Sequence, residues 1–331
     1  MEYRKLGSSD LEVSVLSFGA WQLGDPEYWG ADDRSDGETA VHAAVDIGIN
    51  LFDTAEGYGR GASEAALGTA LGKRRSKVLI ASKVSAHNCA PAKLRQSCEA
   101  SLRRLRTDVI DLYQVHWPFR DVRFEDPHAE LVRLKKEGKI REIGVSNFGK
   151  QDLDDWMRNG GCVSNQLGYN LLFRAIEHEI LPSCQKHGVG ILAYMPLMQG
   201  LLTGRWETVD EVPRPRCRTR HFASSREGVR HGEPGCEELV FDALGEIKVL
   251  AHKLGQPMAA VAIAWLMAQS GVTSVIVGAR NAAQVPRNAA AAELTLPPDA
   301  VARLNEITDP VKQRLGANAD MWQGGDGSRI R

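Results

Sequence analysis

A carboxylate, a phenol, an ammonium and an imidazole stand at Asp53, Tyr58, Lys83 and His116, and three of them close short apolar runs. Asp53 follows Ile49-Asn50-Leu51-Phe52, Lys83 follows Val78-Leu79-Ile80-Ala81-Ser82, and His116 follows Leu112-Tyr113-Gln114-Val115. Tyr58 sits five positions after Asp53 in a glycine-flanked segment, Glu56-Gly57-Tyr58-Gly59. If the three runs are successive strands, their ends are neighbours and the four groups converge. A tyrosine alone, with a pKa of about 10, is a poor proton donor near neutrality. A lysine beside it favours the phenolate and lowers that value, and Asp53 would keep Lys83 charged and oriented. A neutral His116 could hydrogen-bond a substrate oxygen and position it. Such a set suits a general acid that protonates an oxyanion as it forms. It holds no nucleophile–base pair of the serine-hydrolase kind and no carboxylate cluster for a metal. Reduction of a carbonyl by hydride needs such a donor, with the hydride supplied by a cofactor.

The elements that must position these groups alternate along the chain. Strand-like runs are Val15–Phe18, Asn50–Asp53, Val78–Lys83, Ile110–His116, Ile143–Val145, Ser164–Gln166, Ile191–Tyr194 and Ser274–Val277. Each is short and mostly apolar, as a parallel strand covered on both faces must be. Amphipathic stretches separate them, including Ala40-Ala44-Ile47 and Ala92–Leu105, while Ala259–Met267 is apolar nearly all round and should pack on another helix. Lys136-Glu137-Gly138, His187-Gly188 and Leu254-Gly255 read as helix ends. Eight strands with interposed helices and no break in composition predict one closed (β/α)₈ TIM barrel over residues 1–331. In such a barrel the chemistry lies at the C-terminal strand ends, where Asp53, Lys83, His116, Asn147 and Gln166 all fall. The opening residues 1–15 read as a β-hairpin around Gly7-Ser8-Ser9-Asp10, able to cap the barrel's N-terminal mouth. Residues 205–235 and the tail 316–331 read as long irregular loops.

Composition narrows the partners. The 331 residues carry a formal net charge of −1, with 43% hydrophobic and 25% charged residues. That balance gives no reason to expect a nucleic-acid or membrane partner. The longest apolar stretch, around Met258–Ala268, is too short to span a bilayer, and the first residues lack the pattern of a signal peptide. Cysteines 89, 98, 162, 184, 217 and 236 include no C-x-x-C pair, so neither zinc nor a redox motif is indicated. A cytoplasmic protein with reduced thiols is expected, with homo-oligomerisation left open.

The spelling around these residues resembles the aldo-keto reductase family. The resemblance runs through Asn50–Gly59, Ser63-Glu64, Leu67-Gly68, Ala81-Ser82-Lys83 and Asp111–Pro118. It continues through Gly144–Phe148, Asn165-Gln166, Tyr169-Asn170, Ala193-Tyr194, Gln199–Gly204 and Gly278–Asn281 with Gln284 and Asn288. It covers roughly residues 1–310 and looks closest to the bacterial branch with general stress reductases and potassium-channel β-subunit relatives. It implies Asp53, Tyr58, Lys83 and His116 as a catalytic tetrad with Tyr58 as the acid. It also implies an extended NADP(H), with NADPH preferred over NADH, across the C-terminal rim. By that carry-over Ser146, Asn147 and Gln166 hold the nicotinamide carboxamide and Tyr194 stacks on its face. Pro196, Leu197, Gly200, Leu202 and Gly204 line the pyrophosphate. Gly278, Arg280, Gln284 and Asn288 hold the adenosine end, and Gly19, Trp21 and Asp53 also face the cofactor. Glycines admit backbone N–H groups to phosphate, and an arginine fork suits a 2′-phosphate. Three positions depart from the usual spelling: Met195 for a serine, Val277 for a proline, and Pro286 inside the adenosine stretch.

Other readings compete at several points. Gly57-Tyr58-Gly59-Arg60-Gly61-Ala62 satisfies G-x-G-x-x-A, but a Rossmann site wants an acid about 20 residues later, and none occurs between Glu64 and Glu99. Each tetrad residue taken singly has a structural reading: Asp53 a helix cap, Lys83 a surface lysine, His116 a strand histidine. Trp21, Tyr58, His116 and Trp117 could line a substrate pocket, with Tyr28 and Trp29, or the aromatic residues could merely plug the barrel mouth. The arginines at 205, 214, 216, 218, 220, 226 and 230 either attract an anion or belong to a solvated or cofactor-covering loop. Trp322 and the tail arginines either reach a neighbouring active site or pack on their own barrel. Three functions remain open: reduction of a small-molecule aldehyde or ketone, a Schiff-base lyase through Lys83, or an NADP(H)-binding sensor with little turnover.

Overall fold

A computed structural model describes residues 1–24 and 34–331. Eight parallel strands close into a barrel in chain order, the last pairing with the first. They are β3 (Leu16–Gly19), β4 (Leu51–Asp53), β5 (Leu79–Val84), β6 (Ile110–Val115), β7 (Ile140–Ser146), β8 (Ser164–Gly168), β9 (Gly190–Tyr194) and β10 (Val272–Gly278). All eight expected strands are present, with no end shifted by more than three residues. Because every pair is parallel, the ends stay in step: Gly19 pairs with Asp53, Asp53 with Ala81, Lys83 with Gln114, Ser146 with Gln166 and Gly168 with Tyr194. The polar strand ends therefore form one rim.

The hairpin is formed by β1 (Tyr3–Lys5) and β2 (Glu12–Ser14), paired antiparallel. Its Leu6, Leu11 and Val13 are buried against Leu51, Ala81, Leu112, Val163, Leu192 and Ile276, and this cluster fills the barrel's N-terminal mouth. Gly7 makes the approach possible. It has φ +55°, and a Cβ there would lie 2.1 Å from the Val163 carbonyl oxygen.

Outside the strands a second apolar layer is covered by helices. Pro91–Leu105 starts with proline at its first position and turns Leu94, Cys98, Leu102 and Leu105 inward. Met258–Met267 is buried along nearly its whole length beneath Glu237–Lys253, as its all-round apolar composition requires. Gly188, expected to end a helix, does so with φ +65° after Ile180–His187. No single described helix is long and apolar enough to cross a membrane.

The stretch 205–235 is irregular, with two short helical turns at Val209–Glu211 and Arg214–Arg216. It is nevertheless pinned. Buried Arg220 donates to Glu233 and to the carbonyls of Leu315 and Asn318, while Arg226 pairs with Glu237 and exposed Arg214 with Glu227. The tail follows the long helix Pro298–Leu315 and lies over the C-terminal rim of its own barrel, with Met321 and Asp320 buried.

Candidate active site

The rim brings the four groups together. Lys83 is fully buried, and its ammonium donates to Asp53 Oδ1 at 2.7 Å, to the Thr54 carbonyl at 2.9 Å and to the Tyr58 hydroxyl at 3.3 Å. All three of its protons are thereby committed. Asp53 turns its other oxygen to Gln166, which donates at 2.7 Å, and to Gln114 at 3.5 Å. The Tyr58 ring meets His116 edge-on, with centroids 5.6 Å apart, and stacks on Trp21 at 5.7 Å. Tyr58 and His116 are partly exposed, so both face the open end of the barrel.

Electrostatics sort the protons. Burial works to lower the pKa of Lys83, but Asp53, aided by Tyr58, outweighs it and holds the value above its ordinary one. Burial pushes the Tyr58 phenol up, and Lys83 only partly offsets this. The net direction is thus opposite to the lowering expected from the lysine alone, because withdrawing a phenolate from water costs more than one shared ammonium returns. Burial, with the positive fields of Lys83 and Arg329, lowers His116 to about 3. At neutrality the site therefore presents a protonated phenol, a charged lysine and a neutral imidazole. It can deliver a proton to an oxygen and hydrogen-bond that oxygen from a second direction.

The neighbouring strand ends supply a polar shelf. The Asn147 amide donates to the His116 carbonyl at 3.0 Å and to Ser146 Oγ at 3.1 Å, while its oxygen accepts from the Tyr194 hydroxyl at 2.8 Å. Ser146 Oγ donates to the Gln166 carbonyl. Asn147 holds φ +61°, and Met195, Met198, Gln199 and Arg60 share this sparsely populated region, all in rim loops. Among described non-glycine residues only Arg106, at a helix end, joins them. Strained backbone concentrated at one rim is a mark of a functional site.

Beyond Tyr194, Pro196 is buried, and Leu197 leads into the tight turn Met198–Thr203. The N–H groups of Gly200 and Leu202 donate to the Leu197 carbonyl, and that of Gly204 to Leu201. Those N–H groups are engaged within the turn. Two guanidinium groups lie beside the turn. A Cβ on Gly200 would be 2.5 Å from Arg205 Nη2, and Arg216 donates to the Gln199 carbonyl at 3.1 Å. The sequence carried a signal for Arg205, which directly follows Gly204; Arg216 comes near only through the fold of the loop.

At the far end, Gly19 and Gly278 pair across β3 and β10, bridged by Gln22, whose amide donates to the carbonyls of Gly19 and Ala279. Gln22 was missed in the sequence reading because a lone buried glutamine has no pattern. Arg280 is exposed, and its backbone N–H donates to Gln284 Oε1 at 2.9 Å. Asn288 donates to the Gly278 carbonyl at 3.3 Å, so the whole stretch folds back on the strand end. Pro286 is the third residue of the short helix Gln284–Ala289, where no helical hydrogen bond is lost.

Trp117 directly follows His116 and meets Trp322 of the tail at 6.0 Å, and Trp322 in turn stacks on Tyr194 at 6.4 Å. Trp322 therefore packs on its own barrel. Trp21 stacks on Tyr58 and Trp117 follows His116 in the chain, whereas Tyr28 and Trp29 lie outside the described residues. In Gly57–Ala62, the G-x-G-x-x-A match, Gly59 is crowded by the Gly24 carbonyl, 1.8 Å from where a Cβ would sit. Its glycines serve chain packing beside a closed barrel, not a doubly wound sheet.

Residues 15–309 match the family model described as "Aldo/keto reductase family". The chain is 32% identical over 332 residues to an NADH-specific methylglyoxal reductase of Escherichia coli, covering 93% of this chain and 98% of that one. Among solved structures it resembles the glycerol dehydrogenase of Gluconobacter oxydans at a TM-score of 0.82 and 32% identity, over 93% of this chain and 95% of that one. It also resembles an aldo-keto reductase of Klebsiella pneumoniae in complex with NADPH, at a TM-score of 0.74 and 29% identity, over 93% and 96% of the two chains.

Proposed function

Because this chain belongs to the aldo/keto reductase family, and so to the nicotinamide-dependent oxidoreductases that act on small carbonyl compounds, we propose that its rim residues reduce an aldehyde or ketone to an alcohol with NADPH. The observation that carries the reading is the committed ammonium of Lys83, which ties Asp53, Thr54 and Tyr58 into one unit below the partly exposed phenol. Tyr58 is the general acid, and neutral His116 orients the substrate oxygen beside it. The bound cofactor supplies the hydride. As the oxyanion forms, Tyr58 gives up its proton, and the charge left on the phenolate is met by Lys83. Charge stabilisation then grows with the reaction, which is the condition for lowering the barrel site's barrier. Trp21 and Trp117 flank the substrate.

The rim fits an extended dinucleotide. Gln166 donates one amide hydrogen to Asp53, which leaves its carbonyl for the carboxamide of the nicotinamide. Ser146 and Asn147 flank that end, and Tyr194 offers its face to the ring. Leu197, Gly200, Leu202 and Gly204 shape the turn under the pyrophosphate, where Arg205 and Arg216 provide the positive charge. Arg280 takes the 2′-phosphate, beside Gln284 and Asn288. This preference for NADPH is set against the NADH specificity named for the Escherichia coli relative and is supported by the exposed guanidinium at position 280.

A Schiff-base lyase is disfavoured by the geometry. Such a lysine must reach a carbonyl as a free amine, and here Asp53 holds the ammonium charged with every proton bonded. The test is turnover of a panel of small aldehydes with NADPH and NADH beside Tyr58→Phe. Turnover should fall about 10²–10⁴-fold in the variant, with nucleotide affinity retained. NADPH binding without reduction of any carbonyl would point to a sensor instead, and failure of both nucleotides to bind would remove the cofactor assignment.

A further inference from the structure

Gln114 is a fully buried polar side chain inside the barrel, level with Lys83 in the register of β5 and β6. It also pairs with Gly144, two residues short of Ser146, which places it one step deeper than Gln166. Its amide nitrogen lies 3.5 Å from Asp53 Oδ2, the oxygen that accepts from Gln166 at 2.7 Å. Its carbonyl oxygen, Oε1, is buried with no hydrogen-bond partner among the described residues. Without a protein partner such an oxygen is costly to bury, and a methionine or leucine of similar size would carry no such cost.

The room for this side chain is made by a glycine. Gly144 lies inside β7 and does not hold a positive φ, so backbone freedom does not explain it. A Cβ there would stand 2.9 Å from Gln114 Cγ and 2.6 Å from Ser164 Oγ. A strand glycine of this kind marks a close approach. The chain thus forgoes a side chain on β7, and Gln114 lies across the gap while its amide reaches Asp53. A carboxylate turns easily about its last side-chain bond, since that torsion is broad. Lys83 holds only Oδ1, so the orientation of Asp53 depends on the donors to Oδ2.

We propose that Gln114 is a positioning residue of the site, holding Asp53 Oδ2 from below so that Oδ1 stays trained on Lys83. The proposal rests on the carbonyl-reductase reading above. Under that reading Gln166 serves two partners, Asp53 and the carboxamide of the nicotinamide, whereas Gln114, one step deeper, serves Asp53 alone. A donor with a single partner fixes the carboxylate independently of what Gln166 engages. Without it Asp53 can turn, its bond to Lys83 lengthens, and the charge developing on Tyr58 is met less directly. At 3.5 Å the bond is a long one, so its loss acts on turnover in modest measure.

The experiment compares Gln114→Met and Gln114→Leu with the wild-type enzyme, and with Ser164→Ala, which removes the other buried group beside Gly144 without touching Asp53. In both Gln114 variants kcat for a small aldehyde should fall about 3–10-fold, the scale of one long hydrogen bond to a charged group. KM and NADPH affinity should stay within about twofold, and the urea midpoint should be at or above the parental one. Ser164→Ala should keep the parental kcat. Turnover lost while stability holds is not the behaviour of a merely structural residue. Parental kcat in either Gln114 variant, or a fall that follows a loss of stability, would overturn the proposal. A second readout needs no turnover and no Gln114 variant. In protein labelled with ¹⁵N at glutamine side chains, the Gln114 amide, assigned through its contacts with Gly144, should move upfield in Asp53→Asn. Such a shift would uphold the contact with Asp53 even if no aldehyde is reduced, and the reductase reading alone would fall. An amide indifferent to Asp53→Asn, in an enzyme that still reduces aldehydes, would sink the positioning role and leave the reductase reading standing.

Discussion

At its N-terminal mouth the barrel is closed by Leu6, Leu11 and Val13 on a hairpin, packed against strand residues as apolar as themselves. At the C-terminal rim the same strands end in Asp53, Lys83, Ser146 and Gln166, each buried and each bonded to another of the set or to backbone. The first end is held by area removed from water, which tolerates approximate shapes. The second is held by directed bonds between groups that are costly to bury alone. Stability at one mouth and chemistry at the other are therefore separable, as the barrel architecture allows.

That contrast can be broken at the polar end first. Lys83→Met removes the ammonium from Asp53 and leaves a buried carboxylate with amide donors only. The expected cost is about 3–5 kcal/mol in unfolding free energy, together with loss of turnover. Urea melts at neutral pH would show it, and a variant as stable as its parent would mean that Asp53 does not depend on the pair.

The apolar end should respond differently. Leu11→Ala opens a cavity in the hairpin plug and should cost about 2–5 kcal/mol, with the size set by how far the hairpin settles. Turnover per folded molecule should not change. A variant with parental stability but lowered turnover would show that the plug and the rim are coupled through the strands.

Acid gives the most graded test. His116 is lowered to about 3 and His221, buried in the 205–235 loop, to about 4, chiefly by burial. Between those values and the ordinary 6.5, the unfolded chain binds protons that the native protein does not. Stability is thus complete above about pH 6.5 and declines as pH falls, by up to about 1.4 kcal/mol per pH unit for each histidine. His116→Gln should flatten part of that slope in thermal melts between pH 7 and 4. Hydrogen exchange should show the C-terminal face loosening before the hairpin plug, whose buried side chains do not titrate.

Much of this molecule was legible without coordinates. The strands could be read from short apolar runs between helical stretches, and their ends placed Asp53, Lys83 and His116 together because a parallel barrel keeps strand ends in step. The hairpin was legible from its turn residues, and Gly188 from its place after a basic helix end. The 205–235 stretch was not: its order comes from Arg220 reaching Leu315, Asn318 and Glu233, contacts that no local pattern announces. The surroundings of the turn Met198–Thr203 were legible only in part: Arg205 follows Gly204 directly, whereas Arg216 comes near only through the fold of the loop.

The amino-acid sequence by itself determined the barrel, the polar rim and the identity of the four converging groups, because periodicity and strand-end position are local properties. Only the tertiary structure decided their working states. Burial reverses the shift that Lys83 alone would impose on Tyr58, and burial is the sum of everything packed around a group. Likewise Arg329 is an ordinary tail arginine in the sequence, and reaches the rim only where the folded tail lays it over Trp117.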